Sequence, residues 1–154
     1  MVVDTAMWVL HVVFAGVWTG SVLFVAGVVM PPAYRGEIDV DPLGEFLSKL
    51  QLLTRVSAVI FLVTGAHLVG TRYTGIPPEF GALVATPSGH TVLTMFFLWL
   101  VVTGLVEVGS RRVQSGLSQR KLREPARNAR RLFQAAAVFA ILLLVTAGLL
   151  AAGV

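Results

Sequence analysis

The chain has 154 residues, of which 56% are hydrophobic and 13% charged. A water-soluble domain of this size has too little interior to hide that much apolar surface, so composition excludes an ordinary soluble fold and points to a bilayer. The net charge is +4, and no cysteine is present, which excludes disulfides, thiolate metal sites and thiol chemistry.

Four apolar runs, at about 5–30, 52–71, 90–109 and 132–152, each reach the roughly 20 residues needed to cross a hydrocarbon core. Helix is the open-chain structure that satisfies its own backbone there. The expected fold is therefore all-α, a single membrane domain over 1–154 built as an up-down four-helix bundle. The first run has Asp4 rather than a basic residue before it and is too long for a signal-peptide core, so it reads as a retained span. Pro31 and Pro32 are expected to end it by removing amide donors. Within it, Gly16-Val-Trp-Thr-Gly20 is a small-xxx-small pattern that permits close helix packing.

A polar segment follows. Asp41 can cap a short helix with Pro42 at its first position, and Leu43, Phe46, Leu47 and Leu50 fall on one side of it. The expectation is a short cytoplasmic interfacial helix leading into span two. The Gly and Pro content of 73–89 predicts a loop between spans two and three. Glu107, near the end of span three, is set to pair with Arg111 four residues on.

Eight basic residues (Arg111, Arg112, Arg120, Lys121, Arg123, Arg127, Arg130 and Arg131) occupy the connection between spans three and four. A basic stretch can bind nucleic acid or anionic lipid, but its place between two apolar runs makes membrane orientation the better account, and no nucleic-acid partner is expected. With Arg35, Lys49 and Arg55, eleven of the 12 basic residues lie on one side and Arg72 alone on the other. Positive-inside asymmetry then puts 31–54 and 110–131 in the cytoplasm and both termini outside, in a multi-pass protein of the cytoplasmic membrane.

Chemistry concentrates in three histidines. His11 lies about 9 Å below the outer end of span one, His67 about 7.5 Å below that of span two, and His90 opens span three on the same side. Ionisable groups within spans are costly and usually face the bundle interior. Each histidine also has a plain reading: His90 as an interfacial residue at a helix start, His67 as a hydrogen-bond donor across helices. If the three share a ligand, imidazole suits copper, zinc and haem iron. Met7 and Met95 lie at nearby depth, and thioether sulfur favours cuprous copper, although each alone reads equally as packing. A haem asks for two axial histidines facing across a flat macrocycle. Diagonal helices suit that better, so His11 and His90 are the haem pair, with Trp18 in the aromatic wall that Trp8, His11, Ala15 and Trp18 form on one face.

The first span, Trp8-Val-Leu-His11 through Trp18-Thr-Gly20 to Pro31-Pro32, resembles the opening helix of the copper-resistance protein D (CopD) family, with its early His, central W-x-G and terminal Pro. Leu53-Thr-Arg-Val-Ser57 through Thr64-Gly65 resembles the R-x-S…TG helix of that family, and span three followed by Arg111-Arg112 is similar to its next helix. The resemblance implies binding of copper or haem and a role in copper handling or uptake, with a periplasmic or extracellular donor of copper or haem as partner. The same frame resembles the HemJ-type protoporphyrinogen oxidases, which would make the chain a haem-bearing redox enzyme. Their His-x-Lys at the start of helix three is here His90-Thr-Val92, with the lysine replaced. A ligand-free structural or assembly subunit is the third reading. A homodimer is compatible with four short helices, which bury little surface among themselves.

Overall fold

The computed structural model describes residues 1–72, 80–119 and 123–152. Among these the chain is all-helical. Four helical stretches are long and apolar enough to cross a membrane: Val2–Arg35, Val40–Thr71, Pro87–Leu117 and Arg123–Ala151. Large apolar side chains face outward along them, among them Val9, Val13 and Val17, Leu62 and Val63, Phe97, and Ile141 and Val145. That is the arrangement a hydrocarbon solvent stabilises and water does not.

The first span does not stop at its prolines. Helix α1 (Val2–Phe24) passes through a π-helical turn at Val25–Val29 into α2 (Met30–Arg35), which carries Pro31 and Pro32 and ends at Gly36. In a regular helix each proline ring would press on the carbonyl four residues before it. The widened turn upstream gives those carbonyls room, so the helix bends its register instead of breaking. Termination falls to Gly36, whose φ of 78° is a left-handed conformation glycine adopts without strain.

The separate interfacial helix expected near 42–50 is likewise absorbed. Val40–Arg72 is one continuous helix, α3, of 33 residues, about 50 Å long and longer than a bilayer core is thick. Leu43, Leu47 and Leu50 are buried against the bundle while Phe46 is exposed. Their spacing continues without a phase break into Thr54 and Ser57, so no turn is needed between the two segments. The loop expected over 73–89 is only partly one. Positions 73–79 lie outside the described residues, but Phe80–Ala85 forms α4, and α5 (Pro87–Leu117) starts immediately after Thr86. Thr86 caps α5 by accepting from the Gly89 amide, with Pro87 at the first position. Helix α6 (Arg123–Ala151) completes the set.

Packing follows a ring. The first span contacts α3 and α6, and α5 contacts α3 and α6, which leaves α1 and α5 on opposite corners. The α1–α3 pairs His11–Thr64 and Trp18–Thr54 run in opposite numerical directions, so these helices are antiparallel, as are α3 and α5 through Gln51–Glu107 and Ser48–Gln114. The apolar core is lopsided. Trp18, Val22, Val29, Leu43, Leu47, Leu50, Val102, Val106, Val113, Phe133 and Ala136 all lie in the half of the bundle nearer the basic connections. Gly109 admits the Phe133 ring there, since a Cβ on it would lie 3.1 Å from Phe133 Cε2. Gly16 and Gly20 do no such work within the chain. Among the described residues no atom beyond the surrounding turn of α1 lies within 4 Å of where their Cβ atoms would be, because α1 turns Trp18, Thr19 and Val22 inward and the glycines outward.

Candidate functional site

The α1–α3 contact, from Trp18 at the edge of the core outward, is joined differently. Along α1, Asp4, Met7, His11, Phe14 and Trp18 recur at the spacing of one helical face. Along α3 the matching face carries Thr54, Ser57, Phe61, Thr64 and Leu68, with His67 beside it. The seam between them is polar. His67 Nε2 meets Asp4 Oδ1 at 3.0 Å, His11 Nδ1 meets Thr64 Oγ1 at 2.7 Å, and Trp18 Nε1–H donates to Thr54 Oγ1 at 3.0 Å.

Each of the two threonine oxygens meets a second partner on its own helix. The Thr64 hydroxyl has one hydrogen, and it donates to the Ile60 carbonyl at 2.6 Å. With that hydrogen on the Ile60 carbonyl, the oxygen accepts from His11, which is the arrangement that puts the ring proton on Nδ1 and leaves the lone pair on Nε2. Thr54 repeats the device, donating to the Leu50 carbonyl at 2.8 Å while accepting from Trp18. At His67 the acceptor is a carboxylate, so Nε2 is the protonated nitrogen and in the neutral ring Nδ1 has the lone pair. His90 Nε2 points at the Val84 carbonyl of α4, a contact that again leaves Nδ1 bare in the neutral ring. In all three histidines one nitrogen is engaged by an oxygen that fixes the ring, the arrangement that metal-ligating histidines generally have.

The three rings are not gathered equally. His11 and His67 share the α1–α3 seam. Thr64 and His67 are three residues apart on α3, about 4.5 Å along the axis, while their partners His11 and Asp4 are seven apart on α1, about 10.5 Å. Met7 stands between Asp4 and His11 on the α1 side, half-buried. His11 also leans on the Phe61 ring, with centroids 5.2 Å apart, and its Cε1 would lie 3.7 Å from a Cβ on Gly65. The His11 ring thus packs directly against the α3 backbone at Gly65, which leaves no room for a macrocycle between these two helices. His90 is exposed in the first turn of α5, on the corner diagonal to α1, and Met95 follows half-buried on the same helix. Among the described residues no three His, Asp or Glu side chains are placed together to hold a metal ion. Trp18 lies two turns deeper than His11, 1% exposed, edge-on to Phe61 at 5.6 Å.

A second polar cluster lies at the other end of the α3–α5 contact. Glu107 accepts from Arg55 Nε at 2.7 Å and from Gln51 at 2.9 Å, and Arg111 approaches it at 3.4 Å. The expected pairing with Arg111 is present, but the shorter bonds come from α3. Glu107 therefore ties two spans together rather than decorating one.

Sequence reasoning found the histidines and overlooked the threonines that orient them. The signal was available: Thr54, Ser57 and Thr64 fall at three- and seven-residue spacing inside an apolar run, which puts polar groups on one face of a span. No protein-family model, curated protein or solved structure matches the chain.

Proposed function

We propose that this chain is a copper-binding membrane protein that takes the ion on His11 and His67, with the Met7 thioether as third donor. The observation that carries the reading is the Thr64 hydroxyl. By accepting from Nδ1 it leaves the His11 Nε2 lone pair directed away from its own anchor, as a ligand nitrogen must be. Two neutral imidazoles and a thioether form a soft, low-charge donor set that favours cuprous copper over hard cations. Such a site would hold copper as cargo, and the resemblance of the first span to the CopD family supports a role in handling or uptake. His90 and Met95 are then the next donors toward the bundle surface. The orientation that goes with this reading is an up-down bundle in the cytoplasmic membrane. The basic connections are inside, and the termini and histidines are outside, where a copper donor delivers the ion.

A haem reading draws on one separate observation. The helices bearing His11 and His90 occupy opposite corners of the ring, the arrangement two axial ligands require. Purification in detergent followed by metal analysis and a visible spectrum separates the two. Near-stoichiometric copper in a colourless protein, lost in His11→Ala, is the expected result. A Soret band with split α and β bands on reduction would replace copper by haem and open the porphyrinogen-oxidase reading. Neither ligand, with His11→Ala indistinguishable from the parent, would leave a structural subunit. Orientation is checked by labelling single cysteines at Ser115 and Thr74 with an impermeant reagent in intact cells. Labelling at 115 but not at 74 would invert the topology.

A further inference from the structure

At the opposite end of the molecule the arginines are not all spent on carboxylates. Arg35 pairs with Glu37, and Arg55 and Arg111 share Glu107. Arg127, Arg130 and Arg131 have no carboxylate within salt-bridge distance among the described residues. These three, with Gln134, fall at positions i, i+3, i+4 and i+7 of α6 and so share one face. Together with Tyr34 of α2 they line an open cavity of about 500 Å³. Arg130 is held in it by the Tyr34 ring, with its guanidinium carbon 5.1 Å from the ring centroid. The cavity lies where span four leaves its apolar run, at the depth of lipid headgroups if the helices cross a bilayer.

We infer that this cavity is a binding site for a phosphate anion, carried on the headgroup of an anionic phospholipid. Three guanidinium groups supply forked donors that match phosphate oxygens, and none has a carboxylate partner among the described residues. Tyr34 and Gln134 complete the lining, and Gln134 lies one turn further into the apolar run of α6. A neighbouring cavity lined by Arg112, Ser115, Gln119, Glu124 and Asn128 has a carboxylate among its walls and lacks this excess of positive charge. The inference rests on the membrane reading of the four helices and not on the histidines.

The test uses the full chain in detergent, titrated with phosphatidylglycerol, phosphatidylcholine or inorganic phosphate, and read by native mass spectrometry and thermal unfolding. Phosphatidylglycerol should remain bound and raise the midpoint, and phosphatidylcholine should not. In Arg127→Gln/Arg131→Gln the retained lipid should fall at least tenfold, and Tyr34→Leu should give a smaller loss in the same direction. Lys49→Gln/Arg112→Gln removes equal charge elsewhere and should leave retention unchanged. Competition by millimolar inorganic phosphate would show that the anion alone is recognised. Its failure, with phosphatidylglycerol still bound, would assign the site to the whole lipid. Equal loss in the Lys49/Arg112 control, or no preference for phosphatidylglycerol, overturns the inference. His11→Ala should bind the lipid as the parent does, so failure of the copper reading leaves this result standing.

Discussion

Replacing Thr64 by valine keeps the shape of the side chain and removes the one oxygen that accepts from His11. Thr64 is 1% exposed, so water cannot take its place on the α3 side of the ring. An imidazole N–H left without an acceptor in a buried place costs about 1–3 kcal/mol. Hydrogen bonds between membrane helices average about 0.6 kcal/mol and reach about 1.7, because the unfolded chain in the bilayer finds other partners. A half-buried ring facing a sealed threonine belongs near the top of that range, so Thr64→Val should cost about 1–2 kcal/mol and Thr64→Ser well under 1. Unfolding in a denaturing detergent measures both, and a cycle with His11→Leu isolates the pair, with an expected coupling of about 1 kcal/mol. The same substitution frees the tautomer, so copper affinity should fall about 10–100-fold while Thr64→Ser retains it. If Thr64→Val and Thr64→Ser bind copper equally and the cycle shows no coupling, then the threonine does not set the proton on His11, and the basis for assigning Nε2 as the ligand atom is lost.

Three further outcomes follow from the packing. Glu107→Gln should lower the thermal midpoint more than Arg55→Gln, because Glu107 also serves Gln51 and Arg111, and the Arg55 effect should shrink as salt rises. Gly109→Leu should destabilise by at least about 1–3 kcal/mol through the Phe133 ring it displaces, whereas Gly16→Leu, facing open space, should change the midpoint of the monomer little. A Cβ at Gly89 runs into the Leu83 carbonyl, so Gly89→Ala should separate α4 from α5, seen as faster proteolysis within 80–86 with the four long helices still intact by circular dichroism.

The parts of this architecture legible in the sequence are those that depend on the amount of apolar surface. Four runs of roughly 20 apolar residues are long enough to cross a hydrocarbon core, whatever touches them. Features that depend on pairing were less legible. Threonine scarcely interrupts an apolar run, and the partner of Thr64 is 53 residues away, so nothing local marks it as the group that orients His11. Pro31 and Pro32 forbid regular helix around them, but a π turn can accommodate them as well as a break, and the choice is made by Met30 and Ala33, which are buried and keep the chain on the bundle. Gly16 and Gly20 allow a close neighbour without naming one, and α1 turns them outward because Trp18 and Val22 fill the interior. The short helix α4 was hidden by the Gly and Pro residues around it, since composition averages over a segment while six residues suffice for a helical turn.

The division of the bundle into an apolar half and a polar half has a consequence for any ligand at the histidines. Phe133, Trp18, Leu47 and Val106 carry the packing of the basic half, and truncating a fully buried phenylalanine costs about 3–5 kcal/mol. Among the described residues the histidine half of the α1–α3 contact has no comparable apolar cluster and is joined by Asp4–His67 and His11–Thr64. Phe133→Ala should therefore unfold the protein several degrees earlier while the fraction that remains folded binds copper as the parent does. His11→Ala should do the reverse, removing copper with a small change in midpoint. If His11→Ala destabilised the bundle as much as Phe133→Ala, the histidine seam would be a structural bond that the fold cannot spare.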